Sequence, residues 1–573
     1  MASASPYGKV NPMDQEKLNH QRKRKKRIIM ISISAFLLVG VVVGAVVGTT
    51  VGRSKDSTDN DQKPQVSAAI KAACEVTLYP NTCIGSLSSK SNSTQQNFTP
   101  EDIFKWAVQA AVEELTSASK RFIPEASADN FTTAAFANCR ELLDLALDHL
   151  NDTLSSADEI TSLDSAVEDL LTWLSAAGTY QETCMDDFGD SLNDTISNYL
   201  KMSSELTSNS LAMANQFSKF AKGFKLGRRL LADNGSDDNV SSMPDWLPRT
   251  GRSLLQLNGI KADAVVAKDG SGKYKTIKDA IKAVPQKSKK RFVIYVKKGV
   301  YKENVEISKN TWNVMMIGDG MTATVVTGSR NVVDGTPTFQ SATFAVKGKG
   351  FIARDMGFQN TAGSAKHQAV ALMSTADQSV FYRCRMDAFQ DTLYPHSNRQ
   401  FYRECVITGT VDFIFGNSAV VFQNCNIIPR LPMKGQQNTI TAQGKSDPNQ
   451  NTGITIQGGT LTAAGDLIGK SVKTYLGRPW KNYATTVFIH TNMVGNLITP
   501  VGWLPWVGNS APDTIFYVEY QNSGVGSSTK NRVKWKGLKL NLPANQVSKF
   551  TVNSFIGGNN WLPATGVPFL QGL

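Results

Sequence analysis

Two aspartates hold equivalent places in a repeat, and a stacked pair of carboxyls can divide acid and base work between them. Asp391 lies seven residues after Cys384, and Asp412 lies seven after Cys405. Each cysteine closes a similar segment: Val380-Phe381-Tyr382-Arg383-Cys384, then Gln400-Phe401-Tyr402-Arg403-Glu404-Cys405, then Val420-Val421-Phe422-Gln423-Asn424-Cys425. The cysteines are 21 and 20 residues apart, the order of a solenoid repeat. Each copy is an aromatic and β-branched run closed by polar residues, which predicts one short strand per repeat, and parallel stacking of such coils gives a β-helix. Strands in one sheet sit about 4.8 Å apart, so the two carboxyls are expected over one another. At that separation one can be held as an acid while the other stays ionised. An aspartate in a solenoid turn more often caps backbone donors, so the pair needs its surroundings to carry chemistry.

The surroundings supply five ordered motifs. Gln390-Asp391-Thr392-Leu393-Tyr394, Asp412-Phe413-Ile414-Phe415-Gly416 and Leu476-Gly477-Arg478-Pro479-Trp480 resemble the signature segments of the pectin methylesterases. Gly299-Val300-Tyr301-Lys302-Glu303 and the stretch from Gly363 to Leu372 agree with them. The resemblance covers roughly 257–573 and implies a right-handed parallel β-helix that hydrolyses methyl esters of homogalacturonan, releasing methanol. On that substrate Asp412 can act as nucleophile and Asp391 as general acid, then general base. Gln368 and Gln390 resemble the family's oxyanion-stabilising pair; a neutral amide suits that place, because a cation would hold the hydrolysed carboxylate too tightly. Arg478 carries a fork that can grip Asp412 in two hydrogen bonds, and Trp480 offers an apolar plate for a sugar ring. Thr338, Tyr394, Phe415 and Trp503 match family positions lining the substrate groove. No role is assigned to His367 or His396, and no cofactor or metal is implied. Adjacent-coil spacing lies within the Cα range of a disulfide, roughly 4.4–6.8 Å, so Cys384 and Cys405 are expected to be bonded and Cys425 free.

A chain of 573 residues has room for two sizeable cores. Its net +13 hides an asymmetry: residues 1–63 carry a net +6, residues 64–227 a net −12 and residues 256–573 a net +19. A basic domain invites a nucleic-acid reading, but no nucleic-acid motif is present, and a polyanionic wall polymer fits better. Arg22-Lys23-Arg24-Lys25-Lys26-Arg27 runs into Ile28 to Gly52, a stretch of 25 residues without a charge, long enough to span a bilayer. This predicts a cytoplasmic tail over 1–27 and a type II signal anchor over 28–52, with everything downstream lumenal. Seven sequons, at Asn92, Asn97, Asn130, Asn151, Asn193, Asn234 and Asn239, and paired cysteines favour the secretory route.

Residues 64–225 read as an all-α helical bundle. Leu163, Val167, Leu170, Leu171 and Leu174 keep amphipathic helical spacing, and Ala134 to Leu150 does nearly as well. Cys74 and Cys83 would close a short hairpin, while Cys139 and Cys184 would tie two long helices; four cysteines allow three pairings. The arrangement is similar to the pectin methylesterase inhibitor domain, whose pattern implies first to second and third to fourth. Residues 226–256 break the helical period and carry Arg228-Arg229-Leu230-Leu231, with a weaker copy at Arg252-Ser253-Leu254-Leu255. These resemble the family's processing sites, implying a protease partner, an inhibitory pro-region docked on its own enzyme, and a mature extracellular monomer. Other chemistries lack their motifs: there is no Gly-x-Ser-x-Gly elbow and no His-Glu-x-x-His pair. Two rivals remain, a retaining glycosidase on the same fold, since it too uses carboxyls about 5 Å apart, and a wall-binding protein with a silent β-helix. Methanol release against new reducing ends separates the first from an esterase.

Overall fold

The computed structural model describes residues 68–90, 99–121, 130–159, 163–188, 190–229 and 261–573. The expected anchor over 28–52, the sequons at Asn92, Asn97, Asn234 and Asn239, and the second dibasic-like site lie outside them. Among the described residues no helix is long and apolar enough to cross a membrane.

Six helices come first: α1 (Ala68–Glu75), α2 (Pro80–Ser88), α3 (Pro100–Arg121), α4 (Asn130–Glu159), α5 (Leu163–Asp186) and α6 (Asp190–Arg229). The long ones bury one apolar stripe each. Val167, Leu170, Leu171 and Leu174 of α5 are at most 5 % exposed, as are Cys139, Leu142, Leu143, Ala146 and Leu150 of α4. That is the stripe their spacing predicts. Two disulfides staple the helices, Cys74–Cys83 with Cα atoms 5.6 Å apart and Cys139–Cys184 with Cα atoms 4.5 Å apart. The helical period does not stop at residue 226 as expected: α6 continues to Arg229, so the dibasic pair occupies its last two positions.

From Ala264 the chain winds into coils. Three all-parallel sheets of 11, 7 and 8 strands form the faces, and successive strands of any one sheet come from successive coils. The winding has the right-handed sense of parallel crossovers. One coil runs Ser379–Tyr382, Arg385–Asp387, Leu393–Pro395, and the next begins at Arg399–Arg403. Register is exact down the stack: Phe381 pairs with Tyr402 and Tyr402 with Phe422, and their rings stack with centroids 4.8 and 4.6 Å apart. A short helix, α7 (Ile277–Ile281), lies over the first coils; the Thr276 side chain caps it by accepting from the Asp279 amide (3.2 Å).

In-register stacking also decides the cysteines. Cys384, Cys405 and Cys425 are buried thiols, not the expected Cys384–Cys405 disulfide. Coil-to-coil spacing of about 4.8 Å holds neighbouring Cβ atoms parallel, whereas a disulfide needs Cβ atoms about 3.8 Å apart on converging bonds. The sulfurs turn instead to backbone carbonyls, Cys405 Sγ lying 3.3 Å from Phe381 O. Burial pushes the Cys405 thiol well above its ordinary range.

The acidic helices lie along the seven-stranded sheet and the turns that follow its strands. Lys481 Nζ bonds Glu182 and Asp186 of α5, both at 2.7 Å. Arg399 meets Asp169 (2.7 Å) and Lys309 meets Asp144 and Asp148 of α4 (2.5 and 2.6 Å).

Candidate active site

Asp391 and Asp412 occupy the same turn of neighbouring coils. Both adopt left-handed backbone, φ +60° and +50°, a conformation aspartate tolerates better than most residues. The strands that follow are paired through Leu393 and Ile414, and the Asp391 amide donates to Val411 O (3.1 Å). Asp391 is 7 % exposed and Asp412 is 5 % exposed.

Their environments differ. Arg478 forks onto Asp412, Nε donating to Oδ1 at 2.9 Å and Nη2 to Oδ2 at 2.6 Å. Thr439 Oγ1 donates to the same Oδ1 at 2.6 Å. Asp391 has no such partner among the described residues. Burial first, then the charge of Asp412, holds its carboxyl well above the usual carboxylate range, with Arg478 pulling the other way. Gln368 reaches the site on the excursion before the strand Leu372–Ser374, where Val332 N donates to its carbonyl (3.1 Å) and the next amide, Ala369 N, donates to Gln390 O (3.3 Å). Neither side-chain amide has a hydrogen-bond partner among the described residues, so both keep donors to offer.

An aromatic floor runs beside the carboxyls. Tyr394 stacks on Phe415 with centroids 4.0 Å apart, Phe415 lies 6.1 Å from Trp480, and Trp480 lies 6.5 Å from Trp506. Gly444 makes room for the indole: a Cβ there would stand 2.8 Å from Trp480. Trp506 was missed by sequence reasoning, yet the Arg478 guanidinium lies 4.2 Å from its ring centroid. Trp503 is the reverse case. It was expected to line the groove but is 1 % exposed in the coil core, stacked on Tyr517 at 4.2 Å and donating to Glu519 at 3.0 Å. Both tryptophans stand in one Gly-Trp-Leu-Pro-Trp run, where residue type does not tell which points inward. Thr338 sits in the 3-10 turn Thr338–Ser341, whose Phe339 and Gln340 line an open cleft of about 800 Å³. Among the described residues no group of three His, Cys, Asp or Glu side chains could hold a metal ion.

Helix α5 roofs this face. Thr179, Glu182, Thr183 and Asp186 close over Tyr394, His396 and Trp480, leaving about 10 Å³, room for about one water. His396 Nε2 lies 2.9 Å from Thr183 Oγ1, its ring stacks on Tyr180 at 5.2 Å, and its Nδ1 has no partner among the described residues. Burial lowers His396 to about 3.

The chain resembles known proteins over both regions. The family profile described as Pectinesterase matches residues 263–559, and that described as Plant invertase/pectin methylesterase inhibitor matches 68–213. Pectinesterase 3 of Phaseolus vulgaris is 48 % identical over 586 aligned residues, covering 98 % of each chain. Pectinesterase/pectinesterase inhibitor U1 of Solanum lycopersicum is 42 % identical, covering 96 % of this chain and 97 % of its own. Among solved structures, a pectin methylesterase from carrot is 55 % identical with a TM-score of 0.54; the match takes in 99 % of that chain and 55 % of this one.

Proposed function

The chain belongs to the pectinesterase family, a carboxylic ester hydrolase preceded by an inhibitor-like region, and from that premise we propose how its residues divide the work. Asp412 attacks the carbonyl carbon of a galacturonate methyl ester. The oxygen that gains charge accepts from the Gln368 and Gln390 amides. As the tetrahedral species collapses, the carbon–methoxy bond breaks and Asp391 gives its proton to the departing oxygen, forming methanol. An acyl-enzyme on Asp412 remains. Asp391, now ionised, takes a proton from water as that water attacks the acyl carbon; the bond from that carbon to the Asp412 oxygen then breaks, which restores both aspartates and frees the uronic acid, and that acid loses its proton to solvent. Tyr394, Phe415 and Trp480 hold the sugar rings, with Thr338 beside the open cleft.

The observation that carries this reading is the asymmetry of the two carboxyls: one forked by Arg478, the other buried, without a side-chain hydrogen bond among the described residues and shifted toward its acid form. Methanol release by residues 256–573 is its test. Asp412→Ala abolishes turnover; near-normal activity in that variant defeats the nucleophile assignment.

The finer arrangement is also our proposal. It places a tail at 1–27, a signal anchor at 28–52, an inhibitory bundle at 64–225, a processing linker at 226–256 and the enzyme at 257–573. Glycans on the sequons and release of a monomer to the cell wall follow from the lumenal orientation. The roof over Tyr394 and Trp480 supports inhibition of the uncut chain. Because Arg228 and Arg229 end α6, a protease that takes an extended strand must open that last turn. Arg228→Ala with Arg229→Ala should leave a larger, retained precursor.

A further inference from the structure

Thr439 stands behind Asp412 in the next strand, Asn438–Gln443, and is 1 % exposed. Its hydroxyl makes two bonds to one residue. It accepts from the Asp412 amide at 2.8 Å and donates to Asp412 Oδ1 at 2.6 Å. A hydroxyl has one proton to give; with the amide N–H approaching the oxygen as donor, that proton is directed to the carboxylate. The strand itself is tied to the catalytic turn, Thr439 N donating to Thr410 O (3.1 Å) and Phe413 N to Thr439 O (3.3 Å).

We infer that Thr439 is a positioning residue that selects which oxygen of Asp412 attacks, by occupying Oδ1 and holding the carboxyl in plane with the Arg478 fork. This rests on Asp412 being the nucleophile. Oδ1 takes two close donors, Thr439 at 2.6 Å and Arg478 Nε at 2.9 Å. Oδ2 takes one close donor, Nη2 at 2.6 Å, and only a longer contact to Nε at 3.2 Å. Oδ2 therefore keeps the freer lone pair and is the attacking atom. The same hydroxyl satisfies the amide of a residue held in left-handed backbone, so one side chain fixes both the turn and the rotamer.

The test uses residues 256–573, a stretch corresponding to a solved relative that is 55 % identical and matched over 99 % of its own length. Thr439→Val keeps the shape and removes the donor. It should lower kcat about 10–100-fold, the scale of a lost hydrogen bond to a charged group, with KM little changed. Thr439→Ser should restore kcat. A purely structural role predicts a loss that follows a lower melting temperature and falls on KM as much as on kcat, and that result overturns the inference, as does a serine variant no better than the valine one. If the valine protein does not fold, Thr439→Cys, with a weak S–H donor, should give an intermediate kcat, and a kcat equal to the parent's counts against the inference. Asp412→Ala separates the two levels: activity in that variant defeats the nucleophile reading, whereas an inactive Asp412→Ala beside a normal Thr439→Val defeats only the positioning role.

Discussion

The helical region and the β-helix position side chains by different means. In the bundle, long helices meet at angles, so two cysteines on different helices can converge, and both cross-links of the described chain are there. In the β-helix, coils repeat in register, so equivalent side chains run parallel: three cysteines line up and none is bonded. The same parallelism that prevents a disulfide places Asp391 over Asp412. A stacked fold makes chemistry by giving like residues unlike neighbours: Arg478 and Thr439 bond one aspartate directly and neither bonds the other. The bundle contributes a complementary acidic surface, whose Asp144, Asp148, Asp169, Glu182 and Asp186 meet Lys309, Arg399 and Lys481.

After loss of the Asp412 nucleophile, the largest expected effect breaks the asymmetry of the two carboxyls directly. Asp391→Asn in residues 256–573 keeps the shape and removes the proton transfer, so kcat for methanol release should fall roughly 10²–10⁴-fold. Gln390→Ala should cost about 10²–10³-fold in kcat with little change in substrate binding, as for loss of one oxyanion donor. A loss in Gln390→Ala confined to KM would move that amide from the oxyanion to simple binding.

Reduction should separate the two regions next. Each bundle disulfide stabilises by about 2–4 kcal/mol, so a reductant should lower the melting transition of the helical region and leave that of the β-helix in place. Cys405→Ser should not reproduce the effect of Cys139→Ser. A β-helix transition that falls on reduction would show a cross-link between its thiols after all.

How much of this was legible follows from what each signal depends on. The coil period, the stacked aspartates and the amphipathic helices were readable because they rest on spacing, and spacing survives folding. Arg478 was readable from its motif. Thr439 was not: it stands in a Thr-rich strand, Asn438-Thr439-Ile440-Thr441, and only the register of the next coil shows which threonine backs Asp412. Trp503 and Trp506 differ in which way the chain turns, a matter of tertiary packing that overrides any local pattern. The end of α6 passed its expected boundary because the residues through Arg229 permit a helix even where the composition had turned polar. The cysteine pairing failed on direction, since a Cα distance says nothing of where the Cβ bonds point.

The smallest expected effect tests how the two regions hold each other, through pH. Docking buries His396 against Tyr180 and Thr183 of α5, with Phe339 and Tyr394 on its own side; no carboxylate among the described residues partners it, and burial lowers it to about 3. A histidine lowered in the docked state stabilises docking fully above its ordinary value of about 6.5 and progressively less as pH falls toward 3. At pH 5 the cost reaches up to about 2 kcal/mol, or about 30-fold in docking. His149 of α4, beside Asn398 at 2.8 Å, is also lowered by burial, with Asp152, Asp377 and Asp148 opposing that shift. Those carboxylates make the net slope a difference, and substitution is the way to read it. His396→Asn should make docking of the cut bundle on residues 256–573 tighter at pH 5 than in the parent, with the two agreeing near pH 7.5. If that variant does not change the slope between pH 7.5 and 5, the roof over Tyr394 and Trp480 is not what His396 reports.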